Sequence, residues 1–356
     1  MNVLSGGLQS IQKCAAILRS GELLAIPTET VYGLAANATD EKAVAKIFAA
    51  KNRPEFDPLI VHIPMGWGSL KKLDELGITD SSLLSDQARS IAEILMKSFW
   101  PGPLTLVLPR GSRIPDLVTS GLTTVGIRMP KHSIAQDLLK TIQLPLAAPS
   151  ANRFGRISPT TTSAVISELG DKVGYVLEGG PCEVGLESTI LHVAPDATLT
   201  LLRPGAVSRE ALANASCRSV ATAPVRGSEK STAELAPGML ASHYAPQKPL
   251  VLGAAKDFSS HQSQAGAPLR WGVLYFDPAS LEFFDSLASP NRDLLSPTGD
   301  WSESARRLFG SLRKFDEDSK IDRIFAEDPS KTRLDGRDTG VATAILDRLT
   351  RAAAKS

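Results

Sequence analysis

Between residues 23 and 202 the chain repeats one device: a largely apolar run of four to six residues, stopped by proline or by a polar cluster. Runs of that length suit strands and are too short for helices. They predict strands at 23–26, 59–63, 104–108, 124–129, 144–148, 173–177, 189–193 and 198–202. Between several of them lie segments with 3.6-residue periodicity. Leu8, Ile11, Ala15 and Leu18 mark a first helix closed by Gly21, and Asp40 caps a second that carries Val44, Ile47 and Phe48 inward. Ile91, Leu95 and Phe99 mark another before Pro101-Gly102-Pro103, and residues 133–141 and 164–169 read as two more. Strands outnumber helices and follow one another late in this stretch. That predicts a mixed α/β sheet rather than a regular βαβ series.

The composition changes after Arg203-Pro204-Gly205. Residues 208–247 open with a helical turn at Ser208 and then become rich in Ala, Ser, Thr and Pro. A connection of about 40 residues is too long to be plain, so it is either disordered or functional. Its far part, Pro237 to Pro246, contains Met239, Leu240, His243 and Tyr244 and does not read as slack spacer. Beyond it, strands at 250–252, 272–276 and 321–326, with helices at 302–312 and 341–352, predict a small parallel α/β domain. The expected organisation is therefore a first domain over 1–207, a linker over 208–247 and a second domain over 248–356.

Several classes of function are excluded. Lys and Arg number 39 against 38 Asp and Glu, a net charge of +1 that argues against a charge-driven nucleic-acid binder. No apolar run approaches the roughly 20 residues that span a bilayer. Residues 1–7 lack the basic and apolar segments of a secretory signal, so a cytoplasmic location is expected. Cys14, Cys182 and Cys217 are too few and too scattered for a disulfide framework or a cysteine metal site. The five histidines stand singly, and no side-chain metal site is predicted. Walker, dinucleotide-fingerprint, zinc-protease and nucleophile-elbow motifs are all absent. Phosphate chemistry, if present, must use scattered basic and hydroxyl side chains.

Such side chains recur at the ends of the predicted strands. Pro27-Thr28-Glu29-Thr30-Val31-Tyr32-Gly33-Leu34 follows the first strand, as a polar turn or as a ligand-facing one. Lys51 and Arg53 sit two apart at a helix end released by Pro54. They complement the helix C-terminus or hold phosphate. His62 alternates with apolar neighbours in its strand, as a structural residue or as part of a site. Arg128 lies within an apolar strand, where burial requires an anionic partner, either a protein carboxylate or a bound one. Ser150 and Asn152 alternate after Ala148, with Ser158 ahead of the next helix. This is ordinary loop chemistry or an anion cradle. Ser188 and Arg203 add a hydroxyl and a cation at later strand ends.

In that order these elements resemble the YrdC-like family: Pro-Thr-Glu-Thr-Val-Tyr-Gly-Leu at 27–34, Lys-x-Arg at 51–53 and Ser-x-Asn at 150–152. A linker carrying His-Tyr-Ala-Pro and a small second domain resemble the two-domain threonylcarbamoyl-AMP synthases within it. The resemblance is dense over 22–205, clear at 237–246 and weaker over 248–356. There Leu334 to Ala342 departs from the family's Gly-Leu-Gly, while Ala344 to Leu349 is similar to its closing helix. The resemblance implies a YrdC-like twisted mixed sheet with flanking helices and a Rossmann-like second domain. It implies synthesis of threonylcarbamoyl-AMP and pyrophosphate from L-threonine, bicarbonate or CO2, and ATP with Mg2+, for N6-threonylcarbamoyladenosine-37 in tRNA. By the same resemblance, Thr30, His62, Arg128, the Ala148 backbone and Ser188 hold threonine. Lys51, Arg53, Asp57, Thr124, Ser150, Asn152, Ser158 and Arg203 surround the nucleotide, with Lys51 and Arg53 catalytic. Tyr244 folds back over the cleft as a lid. The enzymes of the tRNA-modifying complex are the implied partners, and no membrane is.

Two other readings compete. A YrdC-like region also occurs in the hydrogenase-maturation carbamoyltransferase, whose Cys-x-x-Cys zinc fingers three scattered cysteines cannot supply. An RNA-binding module would instead line a basic cleft for tRNA with Lys51, Arg53, Arg128, Lys131, Arg153 and Arg156. On the sequence alone Arg53 is a surface residue at a helix end, so Arg53→Ala is expected to abolish synthesis and leave the fold intact.

Overall fold

The computed structural model describes residues 1–223, 243–258, 260, 269–280, 291–332 and 340–354. The linker reading over 224–242 and the stretch 334–339 lie outside them. Eleven strands form one mixed sheet: β1 (Asn2–Leu4), β2 (Leu24–Ile26), β3 (Gly33–Asn37), β4 (Ile60–His62), β5 (Leu104–Pro109), β6 (Thr124–Arg128), β7 (Leu146–Ala147), β8 (Tyr175–Leu177), β9 (Thr189–Val193), β10 (Leu199–Arg203) and β11 (Val220–Thr222). Their order is β1-β8-β2-β3-β7-β4-β6-β5-β9-β10-β11. The helices α1 (Leu8–Arg19), α2 (Glu41–Lys51), α3 (Leu70–Glu75), α4 (Asp86–Phe99), α5 (Asp116–Thr119), α6 (Ser133–Ile142), α7 (Thr162–Leu169) and α8 (Arg209–Ser216) accompany it. A second, all-parallel sheet has the order β12-β15-β13-β14, from β12 (Leu250–Gly253), β13 (Trp271–Tyr275), β14 (Asn291–Leu294) and β15 (Arg323–Glu327). Helices α9 (Trp301–Glu317), α10 (Pro329–Thr332) and α11 (Val341–Ala353) pack with it. This is the mixed sheet plus small parallel α/β unit that the apolar runs predict, and the Rossmann-like second domain that the family resemblance implies.

Every strand predicted from an apolar run is present. The strands that pattern reading passes over are those without a run. β3 is Gly-Leu-Ala-Ala-Asn, small residues of low strand propensity, and its conformation comes from antiparallel pairing with β2 and β7. β1 and β14 begin with asparagine and lie at sheet edges, where one face of the pattern is lost to solvent. The run at 144–148 yields only the two residues of β7. Helix α8 and strand β11, which pairs in parallel with β10, extend the first sheet into the stretch assigned to the linker.

The pleat separates core from site. Val61 on β4, Val125 and Ile127 on β6, and Leu106 and Leu108 on β5 point into the main core with Val44, Ile47, Leu95 and other helix residues. Their alternates, Ile60, His62, Gly126, Arg128 and Thr105, lie on the opposite face. That face is roofed by residues 243–245 and by the second sheet's unit. Val31, Ile157 and Leu186 of the first unit share an apolar cluster with Tyr244, Phe276, Phe309 and Phe315. The approach is close. Gly185 has φ +78°, and a Cβ there would lie 2.5 Å from Arg306 Cα on α9. Flanking pairs Arg156–Asp316 at 2.9 Å and Arg313–Glu168 at 2.8 Å complete the contact.

Candidate active site

The site is built where β4 and β6 run side by side in parallel, with His62 in register with Arg128. Arg128 reaches under the 28–31 turn. Its Nη1 donates to Thr30 Oγ1 at 2.7 Å and its Nη2 pairs with Glu29 at 2.7 Å, both carboxylate and guanidinium being buried. The turn is closed by Thr28, whose hydroxyl donates to the Val31 carbonyl at 2.6 Å. Buried charge on a strand is thus matched by a carboxylate distant in sequence, from the turn after β2, as low dielectric demands. Beside it, burial and then the Arg128 charge push the His62 imidazole down to about 3, so the ring is neutral at physiological pH.

Across the cleft, α2 ends at Asn52 in the left-handed conformation, φ +50°, and turns the chain into 53–58. Arg53 is drawn inward there. Its Nε and Nη2 donate to the Asp57 and Pro58 carbonyls, and Nη2 pairs with the Asp57 carboxylate at 2.9 Å. The surface placement expected of Arg53 is therefore corrected: only 7% of the residue is exposed, because the turn after Asn52 folds over it. Lys51 is buried too and donates from Nζ to the carbonyls of Ser150 and Asn152, propping the loop after β7. Burial, with the Arg53 charge beside it, lowers the lysine well below its usual range. Opposite, Arg203 donates from Nε to the Ser188 carbonyl at 3.1 Å, and Ser188 shares a 2.8 Å hydrogen bond with Thr105.

Thr30, Arg53, His62, Arg128, Ala148, Ser150, Ser188, Arg203 and Tyr244 all line one cavity of about 50 Å³. Lys51, Asp57, Asn152 and Ser158 stand one layer behind. Asn152 donates to the Arg153 and Arg156 carbonyls, and Ser158 donates to Glu187. Thr124 is the residue set apart. It shares a face with Arg128 but lies four positions along β6, roughly 13 Å away, in an adjoining depression that meets the cavity at Ile60. Glu187 and His243 also line the cavity. Sequence reading missed both, though each directly precedes a residue it selected. Burial raises the Glu187 carboxyl, but the charges of Arg348 and Arg203 and the Ser158 hydrogen bond outweigh it and hold Glu187 below the usual range.

The roof is Tyr244, a bulky residue held at φ +62°. Its ring stacks at 5.9 Å on Phe309 and lies 4.2 Å from the His243 ring. With Lys51, Arg53 and Arg128 respectively 1%, 7% and 4% exposed, no basic surface groove can be made from them. That removes the RNA-cleft reading in its proposed form.

The family model Sua5/YciO/YrdC, described as telomere recombination, matches residues 16–205. A second, described as threonylcarbamoyl-AMP synthase, C-terminal domain, matches 192–354. Threonylcarbamoyl-AMP synthase from Bacillus subtilis is 38% identical over 98% of this chain and 94% of its own. The chain belongs to the threonylcarbamoyl-AMP synthase family. The enzyme of that name from Pyrococcus abyssi is 36% identical over 96% of this chain and 93% of its own. A crystal structure of P. abyssi Sua5 complexed with L-threonine superposes with a TM-score of 0.83 at 33% identity, covering 99% of this chain and 98% of that one. The two-domain synthase pattern thus extends over both units of the fold.

The buried histidines make a pH prediction for this family member. Unfolded histidine takes a proton below about 6.5, whereas folded His62 takes one only near 3 and His243 is likewise held well below its usual range. Between those limits the unfolded chain binds more protons, so stability falls as pH drops below about 6.5. Urea unfolding at pH 7.5 and pH 5 is expected to show that loss, with a shallower slope in His62→Gln. An equal slope in the variant would assign the acid sensitivity elsewhere.

Proposed function

We propose that the cavity assembles threonylcarbamoyl-AMP from L-threonine, bicarbonate or CO2, and ATP, releasing pyrophosphate. The reading is carried by one observation: residues from six separate strand ends, Arg128 and Arg203 among them, converge with Arg53 from the end of α2 on one cavity. In this reading Arg128 binds the threonine carboxylate while Thr30, His62, the Ala148 backbone and Ser188 orient the rest. The neutral threonine amine takes up CO2 to form a carbamate and loses a proton. A carbamate oxygen then attacks the α-phosphorus, the bond to the bridging oxygen breaks, and pyrophosphate leaves. Neutral His62 can accept a hydrogen bond from the amine without adding a competing charge. Arg53, Arg203 and Ser150 take the phosphates, with Lys51, Asp57 and Asn152 holding Arg53 and the loop after Ala148 in place. The adenosine extends past Ile60 into the depression that holds Thr124. Such work is positioning and charge neutralisation rather than covalent catalysis.

Mg2+ enters with ATP in this scheme. Among the described residues no group of three or more acidic, cysteine or histidine ligands gathers, and the carboxylate that lines the cavity, Glu187, and Glu29 behind the wall are both paired to arginines. A hard cation would keep phosphate oxygens and water as ligands. The product is a reactive mixed anhydride, and its use by the enzymes that modify adenosine 37 belongs to the same proposal, as does a cytoplasmic setting. Among the described residues no helix is long and apolar enough to cross a membrane.

A cavity of about 50 Å³ is far below the roughly 300–1,000 Å³ of small-molecule sites. His243 and Tyr244 must therefore lift for ATP to enter and can then return to exclude water. Tyr244→Ala is expected to keep pyrophosphate release but to divert product to AMP by hydrolysis. Chromatography of the nucleotide products checks this, and an unchanged ratio of threonylcarbamoyl-AMP to AMP would remove the lid. The reaction itself is tested by pyrophosphate release from Mg-ATP with threonine and bicarbonate added singly and together, and with Lys51→Ala. Release should need both and vanish in the variant. Release without threonine would mean a different acceptor.

A further inference from the structure

One charged side chain of the second unit, Arg348, reaches two residues of the cavity wall, Glu187 and Tyr244. Arg348 lies on α11, yet its side chain is 0% exposed, a placement that a helix-surface arginine takes only when anions and aromatic faces receive it. Its Nε donates to Glu187 Oε2 at 2.9 Å and its Nη1 to Asp347 Oδ2 at 2.7 Å. The guanidinium sits 5.0 Å from the centre of the Tyr244 ring. Asp347 is also held by Arg351 on the same helix, so the bond that leaves the helix is the one to Glu187.

Glu187 is the reason this matters. Its carboxylate lines the cavity, takes the Ser158 hydroxyl on its other oxygen, and directly precedes Ser188. A ligand set made of a triphosphate and carboxylates would meet that negative charge at close range. Glu29, which does not itself line the cavity, is paired within the first unit by Arg128. Glu187 takes its ion pair from the second unit, with the Arg203 charge of the first unit adding to it. The same guanidinium faces the Tyr244 ring, so one side chain joins charge compensation to the seat of the roof.

We propose that Arg348 is a positioning residue of the active site, which neutralises Glu187 for anion binding and seats Tyr244. The second unit is then a necessary part of the closed cleft. The inference rests on the synthase reading for the identity of the anion, ATP. It does not rest on that reading for the coupling between Arg348 and Glu187.

The experiment measures ATP affinity of the full chain by calorimetry, alongside threonine-dependent pyrophosphate release. The variants are Arg348→Gln, Arg348→Lys and the doubly neutral Arg348→Gln/Glu187→Gln. Arg348→Gln is expected to weaken ATP binding at least about tenfold and to raise the KM for ATP more than it lowers kcat. Arg348→Lys should stay within about threefold of the unmodified chain, and the doubly neutral protein should recover most of the lost affinity. Equal affinity in Arg348→Gln and the unmodified chain would overturn the proposal. So would equally weak binding in the single and double variants, which would leave only a mechanical tie between the units. If Arg348→Gln does not fold, the other two decide: a tenfold loss in either overturns the proposal, and retention in both supports it. An unmodified chain that binds no ATP would instead defeat the synthase reading.

Discussion

Replacing Arg128 with alanine is expected to remove threonine dependence and to destabilise the protein together. The loss of the carboxylate clamp should cost about 2–5 kcal/mol of threonine binding, a fall of at least about 30-fold in kcat/KM for threonine. The fold should lose about 3–5 kcal/mol, because Glu29 remains buried without its partner. The two effects are separable. In Arg128→Ala/Glu29→Gln the buried charge is gone, so urea unfolding should return much of the stability while threonine saturation stays lost. A double variant as unstable as the single one would place the stabilising contact in the Thr30 and Gly102 hydrogen bonds rather than in the ion pair. Wild-type threonine saturation in Arg128→Ala would take the residue out of the substrate site.

Arg53→Ala is expected to abolish pyrophosphate release and to cost a further 3–5 kcal/mol or so of stability, by the same logic applied to Asp57. This reverses the expectation of an intact fold that a helix-end position suggests. Arg53 holds two backbone carbonyls and a carboxylate at once, so the 53–58 turn depends on it. Burial pushes the Asp57 carboxyl upward and the arginine and lysine charges oppose it. Without Arg53 the carboxyl therefore protonates more readily in the folded protein, a gain that opposes the loss from the buried histidines, so the variant should lose less stability than the unmodified chain as pH falls from 7.5 to 5. Thermal unfolding of both proteins across that range reads the difference. A fully stable, inactive Arg53→Ala would confine the residue to catalysis.

These two arginines also show where sequence reading reaches its limit. The alternation in Leu59-Ile60-Val61-His62-Ile63 and in Thr124 to Arg128 places His62 and Arg128 on the face opposite Val61 and Ile127, and the structure has them there. What alternation along one strand cannot supply is the pairing between strands. His62 lies beside Arg128 because β4 and β6 are in parallel register, across the intervening residues 63–127. Thr124 illustrates the converse: it has the right face and the right residue type, but lies too far along its strand to line the main cavity.

The amino-acid sequence by itself determined the strands with apolar runs, the small parallel second unit, the family, and most of the polar side chains that meet at the site. Those features are local, since propensity, periodicity and short motifs act over a few residues. The tertiary structure alone decided that Arg53 is buried, that Lys51 props a loop, that Glu187 and His243 line the cavity, and that Arg348 backs Glu187 from the second unit. Each of these depends on which charges share a low-dielectric space. Segments distant in sequence settle that question, because a buried charge must find its partner wherever the fold provides one.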